Sequence, residues 1–117
     1  MKTTANPAGD EFVSHVLELL EPLGPLRARR MFGGHGIYLD GMMFALVSKN
    51  TLYLKVDEHS RGGFEAAGLE PFQYWKQGKI CRISYYAAPE DALEDAALLA
   101  DWARRAVDAA MRAARRR

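Results

Sequence analysis

The sequence predicts an α+β domain, a two-layer sandwich in which helices cover one face of an antiparallel sheet of about five strands. Three observations predict it. The stretch from Met31 to Asp57, MFGGHGIYLDGMMFALVSKNTLYLKVD, is a series of short apolar or alternating blocks cut by tight-turn signals. Before it, Phe12, Val16, Leu19, Leu20 and Leu23 recur at helical spacing. Near the end, Leu99, Trp102, Ala103, Ala106, Ala110 and Met111 do the same.

The central stretch reads as three strands joined by two turns. Asp40-Gly41 supplies positive φ at both central positions of a type I′ turn. Asn50 in Lys49-Asn50-Thr51 tolerates the left-handed conformation and marks the second turn. Leu52, Leu54 and Val56 share one face and Tyr53 and Lys55 the other, so this strand is buried on one side. Met42 to Val47 is apolar throughout, which predicts a central strand. An edge strand, LRARRMF over Leu26 to Phe32, precedes them, its arginines discouraging strand-on-strand association.

The other elements follow in order. Asp10-Glu11 opens the first helix and Pro22, Gly24 and Pro25 close it. Asp57 is a candidate N-cap for a helix over His59 to Ala67, with Gly68 as its stop. Phe72 to Trp75 and Lys79 to Tyr86 form a strand pair around Gln77-Gly78. Pro89 is placed as a first helical residue, and the final helix restarts near Asp95. A chain of 117 residues is one domain, 1–117, with residues 1–9 and 112–117 expected to be flexible.

Composition narrows the functional classes. A net charge of +1 leaves no whole-protein field for nucleic acid or membranes. The single cysteine, Cys81, cannot form an intramolecular disulfide. Met1 to Gly9 has no apolar core of the signal-peptide kind, and no apolar run is long enough for a bilayer. The expected setting is the cytoplasm.

Each reactive motif meets a structural competitor. Gly33-Gly34-His35-Gly36 could cradle a phosphate, but strand residues follow it where a Walker loop needs Lys-Ser/Thr and a helix. A bulge or sharp turn between strands, where only glycine fits the backbone, is the favoured reading. His15, His35 and His59 have no metal-ligand spacing, and Cys81 on a strand reads as a small core residue. Glu90, Asp91, Glu94 and Asp95 suit a helix start. No catalytic residue, metal ligand or cofactor site is expected. Two basic groups remain. Arg27, Arg29 and Arg30, continuing into Gly33, Gly34, His35 and Gly36, form one candidate interaction surface. Arg104, Arg105, Arg112 and Arg115 form an alternative nucleic-acid contact on the last helix.

The ordered set RMFGGHGIY (30–38), DGMMFALV (40–47), LYLKVD (52–57), FEAAGLEPF (64–72), Ser84-Tyr85-Tyr86 with Pro89-Glu90, and WARR (102–105) resembles the N-terminal domain of the TfoX/Sxy family. The resemblance implies helices packed on an antiparallel sheet. Family members with a second, C-terminal domain regulate natural competence at promoters, together with the cyclic-AMP receptor protein. It implies no catalytic residues. The expected function is a non-enzymatic regulatory or adaptor domain that contacts a protein such as a transcription factor or RNA polymerase. The alternatives are direct nucleic-acid binding through the last helix, and a small-ligand or enzymatic module at the glycine turn. An uncovered edge or face leaves a homodimer open.

Overall fold

Three two-residue turns shape the sheet. Asp40 and Gly41 (φ 52° and 78°), Lys49 and Asn50 (51° and 60°), and Gln77 and Gly78 (53° and 78°) each hold positive φ at both positions. That twist matches the strands on either side. The computed structural model describes residues 7–31 and 33–116. It contains α1 (Pro7–Leu20), β1 (Leu26–Met31), β2 (Gly34–Leu39), β3 (Met42–Ser48), β4 (Thr51–Lys55), α2 (Arg61–Ala66), β5 (Pro71–Lys76), β6 (Lys79–Ala87) and α3 (Ala96–Arg115). Short 3-10 turns occupy Glu21–Leu23 and Glu90–Glu94.

The strands form one antiparallel sheet in the order β1-β2-β3-β4-β6-β5. Six strands form, one more than the predicted count of about five, because the hairpin at Gln77-Gly78 joins the sheet with both arms. β3 lies inside the sheet and β1 at an edge, as their sequences predict. Between Ile37 and Tyr38 the β2–β3 register shifts: Ile37 faces Ala45 and Tyr38 faces Met43. Phe44 is the extra residue, and it is fully buried. The bulge lets an all-apolar strand send Phe44, Ala45 and Val47 into one core while Met43 and Leu46 reach the other face.

The helices cover the first of these faces. Val16 and Leu20 of α1, Phe64 of α2 and Leu99 and Ala103 of α3 pack with Ile37, Leu52 and Leu54 of the sheet. The alanine stripe of α3 brings its backbone close to β3 and β4. Phe64 meets Trp102 edge to face, with ring centroids 4.9 Å apart, and its full burial stabilises the fold by about 2 kcal/mol.

Several boundaries depart from the sequence reading. α2 begins at Arg61 rather than His59, because Asp57 to Ser60 form a capping turn first. Asp57 acts from outside the helix: its Oδ1 accepts from the amides of His59 (3.0 Å) and Ser60 (3.2 Å). Pro89 precedes a 3-10 turn and is not itself helical. Asp95 does cap α3, accepting from the Leu98 amide at 3.0 Å. Met111 is 40% exposed, not part of the inner stripe, because α3 turns Ala109 and Ala110 inward instead. Pro7 to Gly9 form the first turn of α1 and Arg112 to Arg115 the last turn of α3, while residues 1–6 and 117 lie outside the described residues.

Candidate binding surface

Placing the strands reveals what the net charge conceals. None of the 15 acidic residues lies on a strand, whereas among the described residues seven basic ones do: Arg27, Arg29, Arg30, Lys55, Lys76, Lys79 and Arg82. The sheet is therefore basic, and the acidic residues sit on helices and connections. No described helix packs on the face opposite the core.

That open face has its own small cluster. Leu46, Phe72 and Tyr85 are buried there, flanked by Met43, Tyr53 and Ile83. Tyr53 stands edge-on to Phe72, with centroids 4.8 Å apart. The Tyr85 hydroxyl donates to the Met43 carbonyl at 3.4 Å, and burial pushes its phenol up to about 12. Cations lie over the rings: Lys55 Nζ is 5.3 Å from the Tyr85 centroid and the Arg29 guanidinium 5.9 Å from that of Tyr38.

The candidate arginines divide between the two faces. Arg27 opposes Tyr38 and Arg29 opposes Gly36, which places both on the open face. Arg30, opposite His35, has the same parity as Leu26 and Ala28 and belongs to the helix side. An open cleft of about 560 Å³ runs between Arg27, Arg29, Tyr38, Asp40 and Gly41.

The glycine turn is explained by close packing. A Cβ on Gly34 would lie 2.0 Å from the Val47 carbonyl oxygen. At Gly36 it would fall between the sulfurs of Met31 and Met43, at 3.0 and 3.1 Å. Gly33 supplies a positive φ of 73° at the turn itself. His35, on β2, is half-buried.

On α3, two of the four candidate arginines already have partners. Arg105 lies 4.2 Å from the Trp102 ring centroid and 3.7 Å from the Asp101 carboxylate. Arg112 grips Asp57 with two bonds, Nε to Oδ2 at 2.6 Å and Nη2 to Oδ1 at 3.0 Å. Arg104 and Arg115 are exposed. The Arg112 guanidinium holds the Asp57 carboxyl well below the usual carboxylate range, helped by the amides of Ser60 and His59 and opposed by burial. An open cleft of about 270 Å³ beside this pair is lined by His59, Ser60, Gly63, Arg105, Asp108 and Arg112.

Among the described residues no three His, Cys, Asp or Glu side chains are placed to share a metal ion. His15 Nε2 is bonded to the Leu93 carbonyl at 2.9 Å. Cys81 is half-buried on the open face, opposite Tyr74. No described helix is long and apolar enough to cross a membrane.

A further feature went unread in the sequence. Trp75 and Ile80 are cross-strand partners near the tip of the β5–β6 hairpin, 70% and 54% exposed. By strand parity they lie on the helix side of the sheet, past the region the helices cover. The signal was present: both sit within three residues of the Gln77-Gly78 turn, where a hairpin outruns its core.

The profile of the TfoX N-terminal domain matches residues 18–110. The chain belongs to the TfoX N-terminal domain family. It is 32% identical over 82 residues to the DNA transformation protein TfoX1 of Aliivibrio fischeri, an overlap of 67% of this chain and 39% of that protein. It is 28% identical over 95 residues to the protein Sxy of Escherichia coli, covering 81% of this chain and 46% of that protein. The chain thus spans less than half the length of either relative. The matched TfoX segment takes in all six strands, α2 and most of α3, and so includes the open face, Asp57 and the Trp75–Ile80 hairpin, while Arg112 lies just beyond it.

Proposed function

We propose that this TfoX domain is a regulatory adaptor, working by binding rather than by catalysis, in the control of DNA transformation. The family match and the named relative support the regulatory setting. The observation that carries the binding mode is the Trp75–Ile80 pair, the most exposed large apolar side chains described. Tryptophan is the residue type that most often anchors a protein interface, because a rigid ring buries large area at small entropic cost. Arg82 follows Ile80 on the same side of β6, opposite Gln73. The partner is therefore a protein that offers an apolar pocket with an acidic rim, and a component of the transcription machinery is the choice the resemblance favours.

Biolayer interferometry against purified RNA polymerase holoenzyme and purified cyclic-AMP receptor protein tests this. One of the two is expected to bind the wild-type domain. Trp75→Ala is expected to weaken that binding at least about tenfold without moving the melting temperature, since the ring is largely solvent-exposed. Failure of both proteins to bind, or indifference to Trp75→Ala, would count against the proposal.

The alternative on the last helix has less support. Its four arginines include Arg112, committed to Asp57, and Arg105, lying over Trp102.

A further inference from the structure

The geometry points to a single-stranded nucleic acid as the ligand of the open sheet face. This reading goes beyond the adaptor role and does not depend on the Trp75 and Ile80 side chains, which strand parity puts on the other side of the sheet.

The face combines the two features such a ligand needs. One is a backbone track of cations. Strand parity puts Arg27 and Arg29 of β1, Lys55 of β4, Lys76 of β5 and Lys79 of β6 on this side. No acidic residue lies on any strand to oppose them. The five strand-to-strand steps make a path of about 24 Å with cations at both ends and near its middle. The other feature is a set of ring surfaces. Tyr38, Tyr53 and Tyr74 occur on β2, β4 and β5 along that path, and Tyr74 is 37% exposed. Phe72 stacks beside Tyr74 at 6.0 Å, and Tyr53 stands against Phe72 at 4.8 Å, so the rings are held in place. Met31 and Met43 meet over Gly36 and give the surface between them an apolar floor. Aromatic platforms flanked by cations bind unpaired bases by stacking while the cations hold the phosphates.

The same observations disfavour other occupants. A duplex hides the faces of its bases, leaving the tyrosines nothing to stack on. A second copy docked face to face would set one basic surface against another. An acidic peptide would satisfy the cations but not the rings.

Fluorescence anisotropy with a labelled oligothymidylate of about 15 nucleotides tests the inference. The wild-type chain is expected to bind it at about 50 mM salt. Affinity should fall about fiftyfold by about 200 mM if about four phosphates are engaged. A duplex of the same length should bind at least about tenfold more weakly. The double variant Arg29→Glu, Lys55→Glu and the single variant Tyr38→Ala should each lose about tenfold or more. Arg104→Glu combined with Arg115→Glu, and Trp75→Ala, should leave affinity within about twofold. Equal binding of duplex, or equal competition by polyglutamate, would reduce the face to a generic anion attractor and overturn the inference. So would absence of binding at low salt, or a loss confined to the Arg104 and Arg115 variant. The double charge variant changes the exposed Arg29 on an edge strand and the partly exposed Lys55, so it decides the matter even if Tyr38→Ala fails to fold. Loss of protein docking by Trp75→Ala with oligonucleotide binding intact would separate the two proposals.

Discussion

Replacing Gly34 by alanine is expected to destabilise the domain by about 3 kcal/mol or more, an overpacking cost at the upper end of its range. The new Cβ would sit 2.0 Å from the Val47 carbonyl oxygen, a backbone atom that moves only if β3 moves. Val47 is buried and paired with both His35 and Leu52, so the displacement reaches the centre of the sheet. The other glycines of the turn set the scale. Gly36→Ala meets two methionine sulfurs, the flexible parts of long side chains, and should cost about 1 kcal/mol. Gly33→Ala meets nothing within 4 Å and bears only the strain of a positive φ, also about 1 kcal/mol. Urea unfolding of the three variants checks the order. If Gly34→Ala proved no worse than Gly33→Ala, close strand packing would not be the reason for the motif, and a ligand-binding role for the turn would return.

The second large effect is at Asp57. This carboxylate joins two functions, since it caps the turn leading into α2 and accepts both bonds from Arg112 of α3. Its side chain is 13% exposed and that of Arg112 28%. Asp57→Ala should therefore lose about 1 kcal/mol of capping and about 2 kcal/mol of charge-assisted bonding. The melting temperature should drop by about 10 °C. Arg112→Met keeps the cap and should cost roughly half as much.

The pair also sets a pH dependence. The folded carboxyl titrates below its unfolded value, so its contribution is complete above about pH 4 and is lost as pH falls further. The wild type should lose stability more steeply than Asp57→Ala between about pH 4 and pH 2, and the two curves should approach each other at the acid end. Parallel curves would show that Asp57 is not held in its charged form by Arg112.

How much of this was legible in the sequence depended on whether the signal was local. Asp40-Gly41 and Gln77-Gly78 announced their hairpins because a two-residue turn needs particular residues at fixed positions. Asp95 announced a helix start for the same reason. The Lys49-Asn50 turn was harder to read, because Lys49 takes a left-handed conformation that its residue type seldom adopts. The bulge at Phe44 carried no signal, since an unbroken apolar run does not say which residue is the extra one. Asp57 and Arg112 stand 55 positions apart, and only the packing of α3 across the sheet brings them together.

The candidate surface was read in part. Arg27, Arg29 and Arg30 were picked out as a group, but strand parity sends Arg30 to the other face and brings Lys55, Lys76 and Lys79 to the first pair. Net charge misled, because it sums over a chain whose acids and bases are segregated by element. Charge counted strand by strand marks the sheet as free of acidic residues from sequence alone.

The central claim is that one face of this sheet is a binding surface left open by helices that all pack on the other. Two-dimensional NMR of the labelled domain, titrated with the oligothymidylate, tests it most directly. The expected result is that shifts map to Arg29, Tyr38, Tyr53, Lys55 and Tyr74 while α1 and α3 stay still. Shifts confined to α3 around Arg104 and Arg115, or an unchanged spectrum with the oligonucleotide in excess, would contradict it.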